Sequence, residues 1–289
     1  MNIGIVVKVL GGIYTVLFEN KQILCSVRTS AKKTRIVVGD RVEIEPNEYD
    51  NGKYIIVGVL PRKNSIPRPP LANIDKLLIV IAPKPEPDLV LVDKLVIYCM
   101  INDIEPVIVL NKSDIADSKF VEEICSEYYF LSTFVVSAKD SSCVEQLKNF
   151  ITDKFTAVCG QSAVGKSSLL NALIPNIELQ TQELSRKINR GKHTTRVNQL
   201  YLSDGLIIAD TPGFSSLELN IEYRDLAGYY PEFDDYLGNC RYLDCSHVKE
   251  GKDCVISRAV DEGKINKNRY ERYCKLYETL KLAWEKKYD

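Results

Sequence analysis

The octapeptide Gly160-Gln161-Ser162-Ala163-Val164-Gly165-Lys166-Ser167 matches the pattern GxxxxGK[S/T] at every position. The apolar run Phe155–Cys159 precedes it, and Leu169, Leu170 and Leu173 follow at the spacing of a buried helix face. A strand, a glycine-containing loop and a helix, in this order, form the setting in which the motif binds phosphate. The octapeptide therefore predicts a parallel α/β domain with a phosphate-binding loop.

The chemistry of this loop gives its residues separate roles. Backbone N–H groups would surround phosphate oxygens, helped by the dipole of the following helix. Lys166 would reach the β- and γ-phosphates, and the Ser167 hydroxyl would bind Mg²⁺, the expected cofactor of the nucleotide. The predicted phosphate-binding residues are Gly160, Gln161, Ser162, Ala163, Val164, Gly165, Lys166, Ser167 and Ser168.

Two motifs that precede the loop indicate which base is bound. Asn111-Lys112-Ser113-Asp114 and Ser137-Ala138-Lys139 each follow an apolar run typical of a buried strand. The Asp114 carboxylate can accept from the ring N–H and amine of guanine, which adenine lacks, and an unpaired buried carboxylate rejects the wrong base strongly. The Ala138 N–H would meet guanine O6. We therefore predict binding of GTP and GDP by Asn111, Lys112, Ser113, Asp114, Ser137 and Ala138.

Residues after the loop are predicted to contact the γ-phosphate and Mg²⁺. Asp210 ends an apolar run and would hold Mg²⁺ through water, while the Gly213 N–H would contact the γ-phosphate. Thr195 is slightly favoured over Thr194 as the threonine ligand of Mg²⁺. Phe214 stands where signalling GTPases carry a glutamine that positions water, so His193 is the candidate catalytic residue. The alternative is that His193 is a surface residue and that a partner completes the site.

The motif order distinguishes this chain from an ordinary small GTPase. There the phosphate loop comes first, whereas here Asn111–Asp114 and 137–139 precede it, as if the domain had been cut and rejoined. Buried strands at 77–82, 107–110, 134–136, 155–159 and 206–209 alternate with helical stretches. This pattern predicts a circularly permuted α/β domain of the P-loop GTPase type over residues 71–225.

Residues 1–65 have the pattern of a small β-barrel such as an OB-fold. Short β-branched runs at 5–7, 14–16, 36–38, 42–44 and 54–57 are separated by glycine-containing turns. The proline-rich stretch 61–70 is interpreted as a linker. A basic cluster suggests that the barrel binds RNA; its members are Arg28, Lys32, Lys33, Arg35 and Arg41.

The C-terminal region, residues 226–289, contains the spacing Cys240-x4-Cys245-x-His247-x6-Cys254. Three thiolates and an imidazole make a closed tetrahedral site, so we predict one structural Zn²⁺ per chain in an α-helical domain. The alternative is a chance grouping of reduced cysteines. A helix over 268–288 carries an aromatic stripe, with basic residues between, for which core packing is favoured over base stacking.

Charge and composition limit the possible partners. Residues 1–70 hold 11 Lys and Arg against 6 Asp and Glu, and residues 240–289 hold 12 against 9, while the middle is acidic. Basic ends fit a polyanionic partner as well as they fit solvated surface charge. The sequence shows neither a membrane-length apolar run nor a signal-peptide pattern, and its cysteines outside the cluster are scattered. We expect a cytoplasmic monomer with no membrane partner.

Taken together, these residues resemble the circularly permuted GTPases of small-ribosomal-subunit biogenesis, the RsgA family. The similarity covers nearly the whole chain and includes Gly4-x-Val6, Gly39-Asp40-Arg41-Val42, Arg62-Lys63-Asn64-Ser65, Arg68-Pro69, residues 105–112, Gly160-Gln161-Ser162, Gly191-Lys192-His193-Thr194-Thr195, Asp210-Thr211-Pro212-Gly213-Phe214 and Asp244-Cys245-Ser246-His247. Two features depart from the family pattern. Ala163 stands where the family usually has glycine, and the spacing from His247 to Cys254 is one residue longer.

The resemblance implies an N-terminal OB-fold, a permuted GTPase domain and a C-terminal zinc domain. It also implies binding to the small ribosomal subunit and its rRNA late in maturation, GTP hydrolysis stimulated by that subunit, and a catalytic role for His193. Two other functions remain open from the residues: a non-catalytic RNA-binding module that binds GTP without turnover, and a signalling GTPase that acts on a protein.

Overall fold

The computed structural model of the 289-residue chain describes residues 2–28, 35–47, 54–67, 70–174, 199–203, 205–210, 217–248 and 253–288. Within these ranges the chain forms a β-barrel, an α/β domain and a helical C-terminal region.

Five strands close the N-terminal barrel in the order β1-β2-β3-β5-β4. Neighbours are antiparallel, except that β3 and β5 run parallel. Side chains that point inward, such as Val6 and Ile56, form its apolar core. The predicted OB-like barrel is confirmed, with strands at Asn2–Leu10 (β1), Ile13–Phe18 (β2), Lys21–Val27 (β3), Arg41–Pro46 (β4) and Tyr54–Val59 (β5).

One predicted barrel strand is wrong. Residues 36–38 lie outside the strands and make only an isolated bridge between Val38 and Leu71, whereas Lys21–Val27 supplies the missing strand. The run is β-branched because it is buried from two sides. Ile36 joins the barrel core, while Val38 packs into the core of the next domain.

Gly39 and Asp40 attach the barrel to the α/β domain. Gly39 has a φ of 90°, and a Cβ there would lie 2.1 Å from the Ala72 carbonyl oxygen, so only glycine permits this contact. The buried Asp40 carboxylate accepts two hydrogen bonds from the Arg62 guanidinium, at 2.7 and 2.9 Å. Gly39 and Asp40 therefore serve an interdomain contact.

Asn64 makes a second attachment. Its amide nitrogen donates to the Ile74 carbonyl at 2.8 Å, and its amide oxygen accepts from the Ile74 N–H at 2.9 Å. The next residues, Ser65–Pro67 (β6), pair with Pro70–Ala72 (β7). The described part of the segment interpreted as a linker is thus tied to both neighbouring domains.

The α/β domain contains a six-stranded sheet of order β10-β9-β8-β11-β13-β12. All pairs are parallel except that β12 is antiparallel to β13. The five predicted strands of this domain are present, and β12 has no counterpart among them. The bounds are Lys76–Ile81 (β8), Glu105–Leu110 (β9), Ser132–Val135 (β10), Phe155–Cys159 (β11), Gln199–Ser203 (β12) and Leu206–Asp210 (β13).

Four helices cover the two faces of this sheet. Leu89–Ile101 (α1) and Ser118–Glu127 (α2) contribute to one apolar layer, and Ser141–Ile151 (α3) and Lys166–Leu173 (α4) contribute to the other. Because the strands that carry the sequence motifs are parallel, the loops that follow them meet at one edge of the sheet.

The C-terminal region consists of 3-10 helices at Tyr223–Tyr229 and Pro231–Phe233, followed by helices Val255–Asp261 (α5) and Lys267–Tyr288 (α6). The predicted core packing of the α6 stripe is confirmed by the buried rings of Tyr270 and Tyr273. Two of the basic residues between the stripe positions, Arg269 and Arg272, are only 1% and 7% exposed, because carboxylates pair with them. They are therefore not available to bind RNA. None of the described helices combines the length and apolarity needed to cross a bilayer.

Candidate nucleotide and metal sites

The phosphate loop has a backbone that few side chains permit. Gly160 has a φ of 139°, and a Cβ there would lie 2.2 Å from the Val80 carbonyl oxygen on the neighbouring strand. Ala163 has a φ of 65°, the left-handed region that alanine adopts only with strain. This conformation gives a physical reason for the glycine that the family usually carries at this position.

Lys166, the first residue of α4, and Asp210, the last residue of β13, carry opposite charges beside the phosphate loop. The Lys166 ammonium donates to the carbonyl oxygens of Gly160 and Gln161, at 2.8 and 2.5 Å. Burial lowers the pKa of Lys166, and the charge of Asp210 partly offsets this effect. Burial likewise raises the pKa of Asp210, against the opposing effect of Lys166. Both charges are incompletely compensated, so the site favours a ligand that brings anionic oxygens together with a cation.

Asn111 and Lys112 connect the two nucleotide motifs. The Asn111 amide donates to the carbonyl oxygens of Val164 and Gly165, at 3.0 and 3.3 Å. Lys112 has a φ of 59°, and its ammonium donates to the carbonyl oxygens of Lys84 and Ala163, at 2.9 and 2.7 Å. The loop after β9 therefore braces the phosphate loop.

Asp114 carries the carboxylate expected to read the base. Its oxygens accept from the Ser137 hydroxyl at 2.9 Å and from the Lys139 ammonium at 2.6 Å. These hydrogen bonds, that of Lys139 first, lower the pKa of Asp114. The Ser113 N–H also donates to the Val136 carbonyl at 3.1 Å, which joins the two base-reading loops.

These residues surround a cavity of about 650 Å³, which brings the motif after β9, the motif after β10 and the start of α4 together. Its lining is Asn111, Lys112, Asp114, Ile115, Ser137, Ala138, Lys139, Gly165, Ser168, Asn171 and Ala172. Four lining residues were not among the predicted binding residues: Ile115, Lys139, Asn171 and Ala172. The helical spacing of Ser168, Asn171 and Ala172 is the signal that could have found the last two.

Other predicted site residues fall in two groups. Gln161 is not among the residues that line the cavity, and its amide oxygen accepts from the Asp88 N–H at 3.0 Å. Ser162 and Ser167 belong to the same loop and helix start, but neither is among the residues that line the cavity. Outside the described residues lie His193, Thr194, Thr195 and Gly213.

The predicted metal ligands come together in the C-terminal region. The ligand atoms of Cys240, Cys245, His247 and Cys254 all lie within 4.8 Å of one another. His247 Nδ1 lies 3.5 Å from Cys240 Sγ and 3.6 Å from Cys254 Sγ. A tetrahedral Zn²⁺ with thiolate and imidazole ligands needs separations of about 3.6–3.8 Å between them. The donor set and the two nitrogen–sulfur distances therefore fit Zn²⁺, and the two sulfur atoms of Cys240 and Cys254, 4.0 Å apart, are slightly wider than this range.

Neighbouring groups orient these ligands. Val255 N–H donates to Cys240 Sγ and Ser257 N–H donates to Cys254 Sγ, each at 3.4 Å. The Tyr270 hydroxyl donates to the His247 carbonyl at 2.8 Å. Burial lowers the pKa of His247, which favours the neutral imidazole that a metal requires. Helices α5 and α6 are thus built around the four ligands.

Comparison with known proteins gives full-length relatives. A family model described as RsgA GTPase matches residues 59–220. The "Small ribosomal subunit biogenesis GTPase RsgA" of Caldanaerobacter subterraneus subsp. tengcongensis is 40% identical, over 99% of this chain and 98% of its own length. The protein with the same name from Thermotoga petrophila is 40% identical over 96% of both chains.

Two solved structures share the fold. YjeQ from Thermotoga maritima is similar with a TM-score of 0.82 and 36% identity, over 96% of this chain and 98% of that one. YloQ, described as a circularly permuted GTPase, is similar with a TM-score of 0.79 and 29% identity, over 97% and 95%. The permuted order expected from the motifs is therefore that of a known fold.

Proposed function

Because the chain belongs to the RsgA GTPase family, we propose that it hydrolyses GTP during biogenesis of the small ribosomal subunit, assists late maturation of that subunit and is stimulated by it. The observation that carries this proposal is the meeting of a guanine-reading carboxylate, Asp114, with a phosphate loop at one sheet edge. The printed names of the full-length relatives support the ribosomal role.

The nucleotide binds with its base in the cavity and its phosphates on the loop. Asp114 accepts from the guanine N–H groups once the Lys139 ammonium moves away, and Ser137 continues to orient the carboxylate. The Ala138 N–H meets O6, and the Lys112 stem lies over the base plane. Loop N–H groups from Gly160 to Ser168 hold the phosphates, and Lys166 turns from its carbonyl partners to the β- and γ-phosphates.

Hydrolysis depends on residues at the γ-phosphate. Mg²⁺, when bound, supplies positive charge to the phosphate oxygens. Ser167 and Thr195, or Thr194 in its place, would ligate it, with Asp210 acting through water. The Gly213 N–H contacts the γ-phosphate. His193 orients the attacking water, because Phe214 has no polar group for this task. One Zn²⁺ per chain, held by Cys240, Cys245, His247 and Cys254, has a structural role.

The barrel and the C-terminal region hold the rRNA of the small subunit. Arg41 is exposed on the barrel, Lys275 and Lys281 are exposed on α6, and such cations bind phosphates in a salt-dependent way. The GTP-bound form has the higher affinity for the subunit, and hydrolysis to GDP releases it. The protein acts as a cytoplasmic monomer.

Two measurements on the zinc-loaded protein test this proposal. Turnover of GTP with and without small ribosomal subunits should differ at least tenfold, and equal turnover would remove the ribosomal assignment while leaving the GTPase. The Asp114→Asn variant should lose GDP affinity by about 100-fold or more, because guanine N–H groups then face an amide. ATP should bind neither protein; equal binding of ATP and GTP would contradict the base assignment.

His193→Ala separates the catalytic proposal from its alternatives. Loss of stimulated turnover with unchanged GTP affinity is the expected result. Unchanged stimulated turnover would remove the catalytic role of His193. If the parent protein bound GTP but showed no turnover with subunits, it would be a non-catalytic RNA-binding module.

A further inference from the structure

A cluster of five charged side chains is buried where the C-terminal helix meets the GTPase domain. We call it the charge cluster; its members are Asp93, Glu127, Glu232, Arg269 and Arg272. Their side chains are at most 8% exposed. Nothing in the nucleotide or metal chemistry above uses these residues. Their position between domains therefore calls for a separate explanation.

Asp93 on α1 is the centre of the cluster. Its Oδ1 accepts from Arg269 Nη1 at 2.7 Å, and its Oδ2 accepts from Arg272 Nε at 2.6 Å. The Tyr128 hydroxyl also donates to Oδ1 at 2.6 Å. A single carboxylate of the GTPase domain thus binds two arginines that lie one turn apart on α6, one with each of its oxygens.

Two further carboxylates complete the pairing. Arg272 Nη2 donates to Glu127, the last residue of α2, at 2.7 Å. Arg269 pairs with Glu232, which lies in the C-terminal region itself. Burial alone would lower the pKa values of both arginines, but the neighbouring carboxylates outweigh it and raise them. Both guanidinium groups are therefore charged, and separation of the helix from α1 would leave buried ions unpaired.

Helix α1 connects this cluster to the phosphate loop. The helix begins next to Asp88, whose side chain accepts from the Leu91 N–H at 3.0 Å and caps the first turn. The Asp88 N–H donates to the side-chain oxygen of Gln161, at 3.0 Å, within the phosphate loop. Asp93 lies one turn further along α1. One rigid helix thus has the phosphate loop at its start and the C-terminal helix beside its second turn.

We propose that the charge cluster makes α6 a positioning element for the phosphate loop: Arg269 and Arg272 hold α1 through Asp93, and α1 holds Gln161 through the Asp88 N–H. This inference rests on the proposed nucleotide site. Such coupling between two sites is reciprocal, so nucleotide binding in turn stabilises the docked α6. Asp93, Arg269 and Arg272 are positioning residues and do not contact the nucleotide.

A double-mutant cycle on the full-length, zinc-loaded protein tests the connection. Arg272→Gln breaks the cluster, Gln161→Ala breaks the loop contact, and the dissociation constant of GDP is measured for both single variants and for the double variant. Arg272→Gln should weaken GDP about fivefold or more, within the usual range of coupling between sites. In the Gln161→Ala background, the same change should have little further effect. Independent effects that multiply in the double variant would overturn the proposal.

Glu232→Gln is the matched control, because Glu232 is as buried as its partners but contacts Arg269 from within the C-terminal region. It should lower stability and leave GDP affinity within twofold; a loss equal to that of Arg272→Gln would mean general destabilisation and overturn the proposal. Should Arg272→Gln fail to fold, Arg272→Lys keeps the charge, loses the paired geometry and takes its place in the cycle.

Hydrogen exchange of α6 amides in the parent protein gives a second readout. Saturating GDP should slow exchange about fivefold or more at residues 267–276, and identical rates with and without GDP would overturn the proposal. Absence of GDP binding to the parent protein would instead remove the proposed nucleotide site. The nucleotide site and the positioning role of α6 are therefore tested by different results.

Discussion

The barrel and the C-terminal region flank the same GTPase domain but contact it at different places. The barrel has its own closed sheet and apolar core. Gly39 lies against Phe155, and Asn64, in the segment that follows the barrel, binds Ile74. Both contacts are at the edge of the sheet where the parallel strands begin. The C-terminal region contacts α1 and α2, which follow the loops at the opposite, nucleotide-binding edge.

This difference determines how strongly each flanking region is coupled to the nucleotide loops. Because the barrel is attached at the far edge, we expect its displacement by RNA to have little effect on the nucleotide loops. A helix attached to α1 and α2 cannot move without altering the elements that carry those loops. The comparison therefore predicts that damage to the two flanking regions has different consequences for nucleotide binding, even where the cost in stability is similar.

The largest effect is expected from loss of the metal site. Cys254→Ser should unfold the C-terminal region while the barrel persists, because zinc binding supplies about 10 kcal/mol or more to the folding of small zinc modules. Hydrogen exchange should then become fast over 226–288 and stay slow over 2–28. Cys274→Ser is the control, since Cys274 lies on α6 outside the ligand set. Equal protection in both variants would show that apolar packing alone holds this region.

Asp93→Asn should cost about 3–5 kcal/mol of unfolding free energy, because it removes the charge that faces two buried guanidinium groups. Urea unfolding measures this cost. Asp225 is exposed and lies outside the charge cluster, so Asp225→Asn is the control. Its unfolding free energy should stay within about 0.5 kcal/mol of that of the parent. A cost below 1 kcal/mol for Asp93→Asn would contradict the importance given to this attachment.

The barrel attachment should show a smaller cost and no effect on the nucleotide. Asn64→Ala leaves the Ile74 N–H and carbonyl without their partner and should cost about 1–3 kcal/mol. GDP affinity, measured by titration, should remain within twofold of the parent. A loss of affinity as large as that of Arg272→Gln would remove the contrast between the two flanking regions.

The smallest effect is expected in the phosphate loop, at Ala163. Ala163→Gly should raise stability by about 0.5–1 kcal/mol, because the left-handed strain of alanine exceeds the added freedom of glycine in the unfolded chain. The gain should be the same with and without the Asn64→Ala change. A loss of stability in urea unfolding would show that the loop is not strained at this residue.

The sequence allowed prediction of the features that repeat at fixed spacing. Apolar runs of three to six residues marked β8, β9, β10, β11 and β13, because both faces of the sheet are covered. The ligand pattern from Cys240 to Cys254 also predicted a cluster whose atoms lie together. In both cases, residues that are close together in the sequence are enough to predict the feature.

Features that depend on distant partners were not predictable. Arg269 and Arg272 have the spacing of solvent-facing residues, and their partner Asp93 lies in a different domain. Residues 36–38 look like a barrel strand because burial at an interface selects the same β-branched side chains as a sheet does. The turn of Gln161 towards Asp88 has no local signal, since it depends on the meeting of two loops.

The charge cluster also has a consequence for how the chain is made. Asp93 precedes Arg269 by 176 residues and Arg272 by 179. At synthesis rates of about 5–20 residues per second, roughly 10 seconds or more pass between the synthesis of Asp93 and that of the two arginines. During that interval the GTPase domain exists without the helix that holds α1. The contacts between Asp93 and α6 can form only after the first two turns of α6 have been translated.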